Sequence, residues 1–235
     1  MLLLSSSALA VSQSEYDEVI AQRNALYQQI VDAGLDPVIE ISLALPSDNF
    51  KSESADSSPS EYQVTEYRWS SSWYYYNDLV IKNTSGQDCK ISVSMIFYDK
   101  AGNIIGIDEA SQYACQNGFE TYYSFSNEDP FDHVEYTITM TPEKYYTCIQ
   151  ADLDLQSNIV GDKVILSARN SGDLVMEFVE YHVLYLDDSG TVVGKDWGYI
   201  DDSDNEIKPG STQFKDESCS EDFSSVLFFA NGRAD

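Results

Sequence analysis

The sequence predicts a mainly β protein with two tandem repeats behind a short N-terminal α-helix. Apolar and polar residues alternate along many short segments, which is the pattern of half-buried strands. One such segment recurs 88 positions further along the chain, which indicates a duplicated unit. Residues 14–33 instead carry apolar side chains near a 3.6-residue period, which predicts one helix.

The strongest signal is a stretch that occurs twice, as ISVSMIFYDKAGNIIG at 91–106 and as VEYHVLYLDDSGTVVG at 179–194. In each copy an alternating segment is followed by an Asp and, three positions later, a Gly, which together favour a tight turn. These are Asp99 with Gly102 and Asp187 with Gly190. Each copy therefore predicts a β-hairpin, and the repeat length suits a small independent domain.

Both hairpins resemble the FxLYD domain family of secreted bacterial proteins. The resemblance rests on Met95 to Asp99, on Val183 to Asp187 and on Ile207 to Gly210, which resembles the family's later Pro-Gly turn. Leu186 stands where the family has Tyr, and Gln116 to Gly118 stand where it has Pro-Gly. The resemblance covers roughly residues 62–232. It implies two tandem immunoglobulin-like β-sandwich domains and brings no catalytic residues.

The chain divides by composition into five parts. Residues 1–10 end in a small-x-small pattern and predict a partial signal peptide, with a disordered tail as the alternative. Residues 11–35 hold the helix, and the Ser- and Asp-rich residues 36–61 predict a flexible linker. The two β-sandwiches are expected at 62–141 and 145–232. Self-association through residues 14–33 is one interpretation of the helix, and a stalk or packing on the first domain is the other.

Charge restricts the class of partner. The chain has 40 acidic and 13 basic residues, for a formal net charge of −27. Such a charge repels nucleic acid and anionic membranes, so we expect neither nucleic-acid binding nor membrane insertion. The signal-like start and the lack of a long apolar segment predict a secreted, extracellular protein.

The four cysteines are expected to form disulfides in that compartment. None of them has the C-x-x-C spacing of a metal site, and two fall in each repeat. A cross-link within each small domain would add stability, so Cys89 with Cys115 and Cys148 with Cys219 are the predicted pairs. Reduced, inert thiols are the alternative.

Aromatic residues give the one candidate binding surface. Trp69 and Trp73 lie in a Tyr-rich stretch that opens the first repeat, and Trp197 follows the second hairpin. Their flat rings could stack on the pyranose rings of a glycan. Aromatic residues are also good strand formers, so a structural role is the competing interpretation.

An acidic segment in the second repeat is a candidate calcium site. Oxygen ligands at alternate positions suit calcium, and the candidates are Asp201, Asp202, Asp204 and Glu206. The segment lacks the full EF-hand pattern, so a solvated acidic turn is the alternative. No other cofactor is expected. The only two histidines, His133 and His182, are expected to be exposed on the polar faces of their strands.

These features predict a protein that is not an enzyme. No combination of acid, histidine and nucleophile and no phosphate-binding loop is present in the sequence. We expect a secreted interaction or structural module whose partner is an extracellular protein. The alternative is a carbohydrate- or cell-wall-binding protein that uses its aromatic side chains.

Overall fold

The computed structural model describes residues 61–200 and 204–234. The first half has six strands: β1 (Tyr62–Ser70), β2 (Tyr75–Asn83), β3 (Cys89–Tyr98), β4 (Ile104–Cys115), β5 (Glu120–Asn127) and β6 (His133–Pro142). The second half has eight strands and a short 3-10 helix, η1: β7 (Thr147–Cys148), η1 (Gln150–Asp152), β8 (Leu153–Val160), β9 (Lys163–Asn170), β10 (Met176–Leu186), β11 (Val192–Tyr199), β12 (Glu206–Ile207), β13 (Thr212–Ser218) and β14 (Ser225–Ala234).

The described part of the chain is therefore mainly β, as predicted. The predicted signal peptide at 1–10, the helix at 11–35 and all but the last residue of the linker at 36–61 lie outside the described residues. Within the described ranges no helix has the length and apolar character needed to cross a bilayer.

Each half consists of two antiparallel sheets with the same strand order. In the first half the orders are β1-β2-β5 and β4-β3-β6. In the second half they are β8-β9-β13 and β11-β10-β14, with β7 added beside β14 and β12 paired with β10. The strands thus correspond in chain order, so the repeat seen in the sequence is also a repeat of topology.

The two sheets of each half share one apolar core, built from the alternating residues of the repeated segment. In the first half the buried side chains of β3 meet those of β2 and β5; the main members are Leu79, Ile81, Ile91, Val93, Met95, Phe97, Tyr123 and Phe125. In the second half β10 meets β9; the main members are Val164, Leu166, Ala168, Val179, Tyr181, Val183 and Tyr185. Burial of one face of each strand is what the alternation predicts.

A third apolar cluster, the junction cluster, joins the two halves. Val80 of β2 and Tyr122 of β5 pack there with Leu184, Leu186 and Val192 of the second repeat. The outer face of sheet β1-β2-β5 therefore packs on the outer face of sheet β11-β10-β14. The described residues of both halves accordingly belong to one compact unit.

One buried asparagine holds the same turn in each half. The Asn83 side-chain amide donates to the carbonyl oxygens of Gln87 (2.8 Å) and Cys115 (2.9 Å), and its side-chain oxygen accepts from the Ser85 backbone N–H. In the second half the Asn170 amide donates to Leu174 and Ile207, both at 2.7 Å. Both asparagines are fully buried. Each amide thus donates to two backbone carbonyl oxygens around its turn.

The repeated hairpin turns are held by their aspartates. Asp99 Oδ1 accepts from the backbone N–H of Ala101 and of Asn103, both at 2.8 Å. Asp187 Oδ1 does the same for Ser189 and Thr191, both at 2.9 Å. The glycine three positions later has φ of +83° in the first turn and +81° in the second, a region that favours glycine.

These turns are expected to lose stability in acid. Hydrogen bonds hold the pKa values of Asp99 and Asp187 below their ordinary 3.8. The largest contributions come from the side chains of Asn103 and Ser189. A lowered pKa adds stability above the unfolded-state pKa, and that stability disappears as the pH falls through the folded-state value. We therefore expect the Asp99→Asn/Asp187→Asn variant, which retains the Oδ1 acceptor of each turn but not Asp99 Oδ2, to lose less unfolding free energy than the wild type between about pH 5 and about pH 2.5. Urea unfolding at both pH values measures this difference, and equal acid losses would contradict it.

Candidate functional site

All three tryptophans of the chain line one cleft between the two halves. The cleft has a volume of about 910 Å³, within the range of known ligand sites. Its walls come from the β1–β2 hairpin on one side and from β11 and the segment after β13 on the other. The structure therefore brings together Trp69, Trp73 and Trp197, the three residues singled out as candidates for glycan stacking.

Trp73 lies at the tip of the β1–β2 hairpin and is 79% exposed. Ser71 organises this tip, because its hydroxyl accepts from the backbone N–H of Trp73 (3.3 Å) and of Tyr74 (3.2 Å). The Ser71 N–H in turn donates to the Tyr74 carbonyl at 2.9 Å. The loop thus presents a large aromatic ring to solvent on an ordered backbone.

Trp197 projects from β11, the edge strand of its sheet, and is 63% exposed. The residue opposite it on β10 is His182. Large aromatic side chains that remain this exposed are typical of binding surfaces rather than of cores.

Trp69 is half-buried and belongs to the floor of the cleft. Its ring stacks on Tyr76, with ring centroids 4.1 Å apart and planes at 12°. Its indole N–H donates to Asp78 Oδ2 at 2.7 Å. Because Trp69 also packs against the junction cluster, its first role is structural.

A buried ion pair lies beneath this floor. Asp78 is completely buried, and its Oδ1 is 3.9 Å from the Lys195 ammonium, whose side chain is 21% exposed. Lys195 donates to the Ser124 hydroxyl and lies 4.3 Å from the Tyr76 ring centroid. Burial lowers the pKa of Lys195, and the Asp78 carboxylate opposes that shift. The pair connects the two halves, since Asp78 is on β2 and Lys195 on β11.

Two carboxylates and several hydroxyls lie along the cleft. Asp196 accepts from the Tyr185 hydroxyl at 2.9 Å, and burial raises the Asp196 pKa. Glu221 is exposed at the rim. The hydroxyl groups belong to Ser70, Ser71, Ser72, Ser218 and Ser220. The cleft therefore combines flat apolar rings with many hydrogen-bonding groups.

The predicted disulfides are not present, because all four cysteines are free thiols in the structure. Cys89 and Cys115 are direct partners across β3 and β4, a placement that suits a cross-strand disulfide.

The predicted Cys148–Cys219 pairing does not fit the structure. Cys148 pairs with Arg233 near one end of β14. The Cys219 sulfur lies beside Gly194, which pairs with Tyr185, and Tyr185 in turn pairs with Val226 near the other end of β14. The strand between Val226 and Arg233 spans about 23 Å, far more than a disulfide can bridge.

The two histidines differ in their surroundings. His133 is exposed, as expected, and stacks on Tyr98. His182 is half-buried, so its predicted exposure is wrong. Its Nε2 lies 2.9 Å from Glu180 Oε1, and its ring centroid is 4.7 Å from that of Tyr122 in the first half. The reason is that the polar face of β10 packs against the first repeat.

The candidate calcium ligands are only partly described. Asp201 and Asp202 lie outside the described residues. The Lys208 ammonium is 3.8 Å from carboxylate oxygens of both Asp204 and Glu206. Within 61–200 and 204–234, no three Asp, Glu, His or Cys side chains are grouped as metal ligands. Calcium binding by this segment stays a prediction.

Comparison with known proteins finds little similarity. No protein-family model matches the sequence, and no curated protein matches it. One solved structure that matches is red sea bream transglutaminase, with 9% sequence identity and a TM-score of 0.25. The match covers 74% of this chain but 29% of the transglutaminase, so this chain spans less than a third of that protein.

This match corrects the prediction that the protein is not an enzyme. The matching protein, a transglutaminase, is an enzyme, and the sequence-based exclusion of catalysis is not retained. A TM-score of 0.25 is insufficient to establish an enzymatic function, and it assigns no catalytic residue to this chain.

Proposed function

We propose that the protein binds a glycan in the cleft between its two repeats. The observation that carries this proposal is the convergence of Trp69, Trp73 and Trp197 in that cleft, although they come from different repeats. Tryptophan is the largest aromatic residue and the rarest in this chain among the aromatic types, with three copies against 17 Tyr and 10 Phe. Placement of all three in one cleft favours a binding role.

The chemistry of the cleft suits a sugar. A pyranose ring has an apolar face of C–H groups, which packs on an aromatic ring, and a rim of hydroxyls, which needs hydrogen-bonding partners. Trp73 and Trp197 offer exposed rings, while Asp196, Glu221 and the serines offer those partners. The ordered hairpin under Trp73 reduces the entropy lost on binding.

We further propose a secreted protein of two immunoglobulin-like domains related to the FxLYD family. The equal strand order of the two halves and their paired sheets support this proposal. A cell-wall glycan is then the natural partner class for an extracellular protein. An extracellular protein partner and self-association through residues 14–33 are the competing proposals.

Loss of either exposed tryptophan is expected to abolish most of the binding. We expect Trp73→Ala and Trp197→Ala each to weaken binding by about tenfold or more, because aromatic residues at the centre of a site carry much of its binding energy. Titration calorimetry with soluble β-1,4-linked glucose and N-acetylglucosamine oligosaccharides measures the affinities.

The matched control is Phe214→Ala, which removes an aromatic ring that is 67% exposed on β13, outside the cleft. We expect this variant to bind like the wild type. All three variants should keep the wild-type melting temperature, because the deleted rings are exposed. Equal binding by the wild type, Trp73→Ala and Trp197→Ala would contradict a role for the cleft.

A further inference from the structure

We infer that the cleft takes uncharged oligosaccharides and discriminates against acidic ones, an inference that rests on the proposed function. Two carboxylates and one ammonium line the described part of the cleft: Asp196, Glu221 and Lys195. The position of each group decides which sugars can bind.

The single ammonium is not available to a ligand. The Lys195 side chain is 21% exposed, and its Nζ is directed to the Ser124 hydroxyl and toward the buried Asp78 carboxylate. It also lies 4.3 Å from the Tyr76 ring centroid, inside the floor. An acidic sugar would therefore enter the cleft without a cation to pair with its carboxylate. Placing a charge in a partly desolvated site without such a partner is unfavourable.

The two carboxylates favour uncharged ligands that donate hydrogen bonds. An ionised carboxylate only accepts hydrogen bonds, so Glu221 and Asp196 suit ligands that donate through hydroxyl groups. A sugar carboxylate also only accepts, so it cannot bond to either group and is repelled by both. The formal net charge of −27 extends this repulsion beyond the cleft itself.

The test compares two oligosaccharides of equal length. The first is a β-1,4-linked glucose tetrasaccharide, and the second is the same chain with its C6 hydroxymethyl groups oxidised to carboxylates. We expect the uncharged ligand to bind at least about tenfold more tightly in about 20 mM sodium chloride, and the difference to shrink in about 500 mM because salt screens the repulsion. Titration calorimetry on the full chain measures both affinities.

A substitution tests whether the cleft itself causes the affinity difference between the two oligosaccharides. Glu221→Gln is expected to narrow the affinity difference between the two ligands by about threefold or more, because it removes the exposed carboxylate at the rim. Asp154→Asn, which changes an exposed carboxylate on β8 outside the cleft, should alter the difference far less.

The outcomes separate this inference from the proposed function. Equal or tighter binding of the acidic ligand in low salt would overturn the inference, while the proposed glycan site would stand. A difference that Glu221→Gln does not alter would also overturn it. Failure of the wild type to bind either ligand or any other glycan would overturn the proposed function and the inference together.

Discussion

Lys195→Met is expected to lower the free energy of unfolding by about 3 kcal/mol, because it leaves the buried Asp78 carboxylate without its cation. Asp78 is fully buried, and its Oδ1 makes no hydrogen bond in the structure, so that oxygen depends on the ammonium at 3.9 Å. Denaturant unfolding followed by tryptophan fluorescence measures the loss. Trp69 reports on the site directly, since its indole N–H donates to the same carboxylate.

Two controls distinguish the effect of breaking the buried Asp78–Lys195 ion pair from the general effect of removing a lysine charge. Lys163→Met removes an exposed lysine whose ion pair with Asp216 lies on the surface, and we expect a change within about 0.5 kcal/mol. Asp78→Asn, added to Lys195→Met, removes the unpaired charge and should recover at least about 1 kcal/mol. A Lys195→Met protein as stable as the wild type would show that Asp78 needs no cation.

Asn83→Ala and Asn170→Ala are each expected to cost about 3 kcal/mol of unfolding free energy, because each leaves a buried carbonyl oxygen without its amide donor. The carbonyl oxygens of Cys115 and Ile207 lose the amide donors that reach them at 2.9 Å and 2.7 Å. Denaturant unfolding of the two variants measures both costs. Similar values are expected, since the two asparagines occupy equivalent turns.

The control for this pair is Asn158→Ala, which truncates an exposed asparagine on β8 and should change stability by less than about 0.5 kcal/mol. A large cost at Asn83 with almost none at Asn170 would show that the two turns are not energetically equivalent.

The strands that carry the repeat could be predicted because one face of each is covered by its own core. The alternation predicts one buried face for each strand, and the odd-numbered residues of β3 from Ile91 to Phe97 and of β10 from Val179 to Tyr185 are all buried. The turn glycines Gly102 and Gly190 have the expected positive φ. Local alternation and turn chemistry are sufficient for such features because they depend on residues close in sequence.

The second face of β10 could not be predicted in the same way. Leu184 and Leu186 follow the polar Glu180 and His182 on that face, yet both leucines are buried against the first repeat. Alternation predicts that one face of a strand is buried. It does not predict whether another part of the protein packs against the opposite face. Docking of the repeats is a long-range event, and it also explains why His182 is half-buried.

The site shows the same limit. The sequence identified Trp69, Trp73 and Trp197 as candidates, but their convergence depends on the docking of β11 beside the β1–β2 hairpin. The Asp78–Lys195 pair was missed altogether, since 117 positions separate its members. The one sequence signal for this pair was the charged Asp78 beside the apolar residues of β2. The predicted Cys148–Cys219 pair does not fit for a related reason, because sequence spacing does not show which end of β14 each of these cysteines approaches.

The position of β14 affects the order in which a nascent chain can fold. This strand lies between β10 and β7, and its Leu227 and Phe229 also cover the junction cluster. Domains generally fold as units during synthesis, N-terminal first, so β1 to β6 can assemble while the second repeat still lacks an interior strand. Until the ribosome has released β14, both Tyr122 and the inner face of β10 lack part of their cover. Ribosome stalling before Ser225 would therefore leave apolar surface of both repeats open to chaperones and proteases.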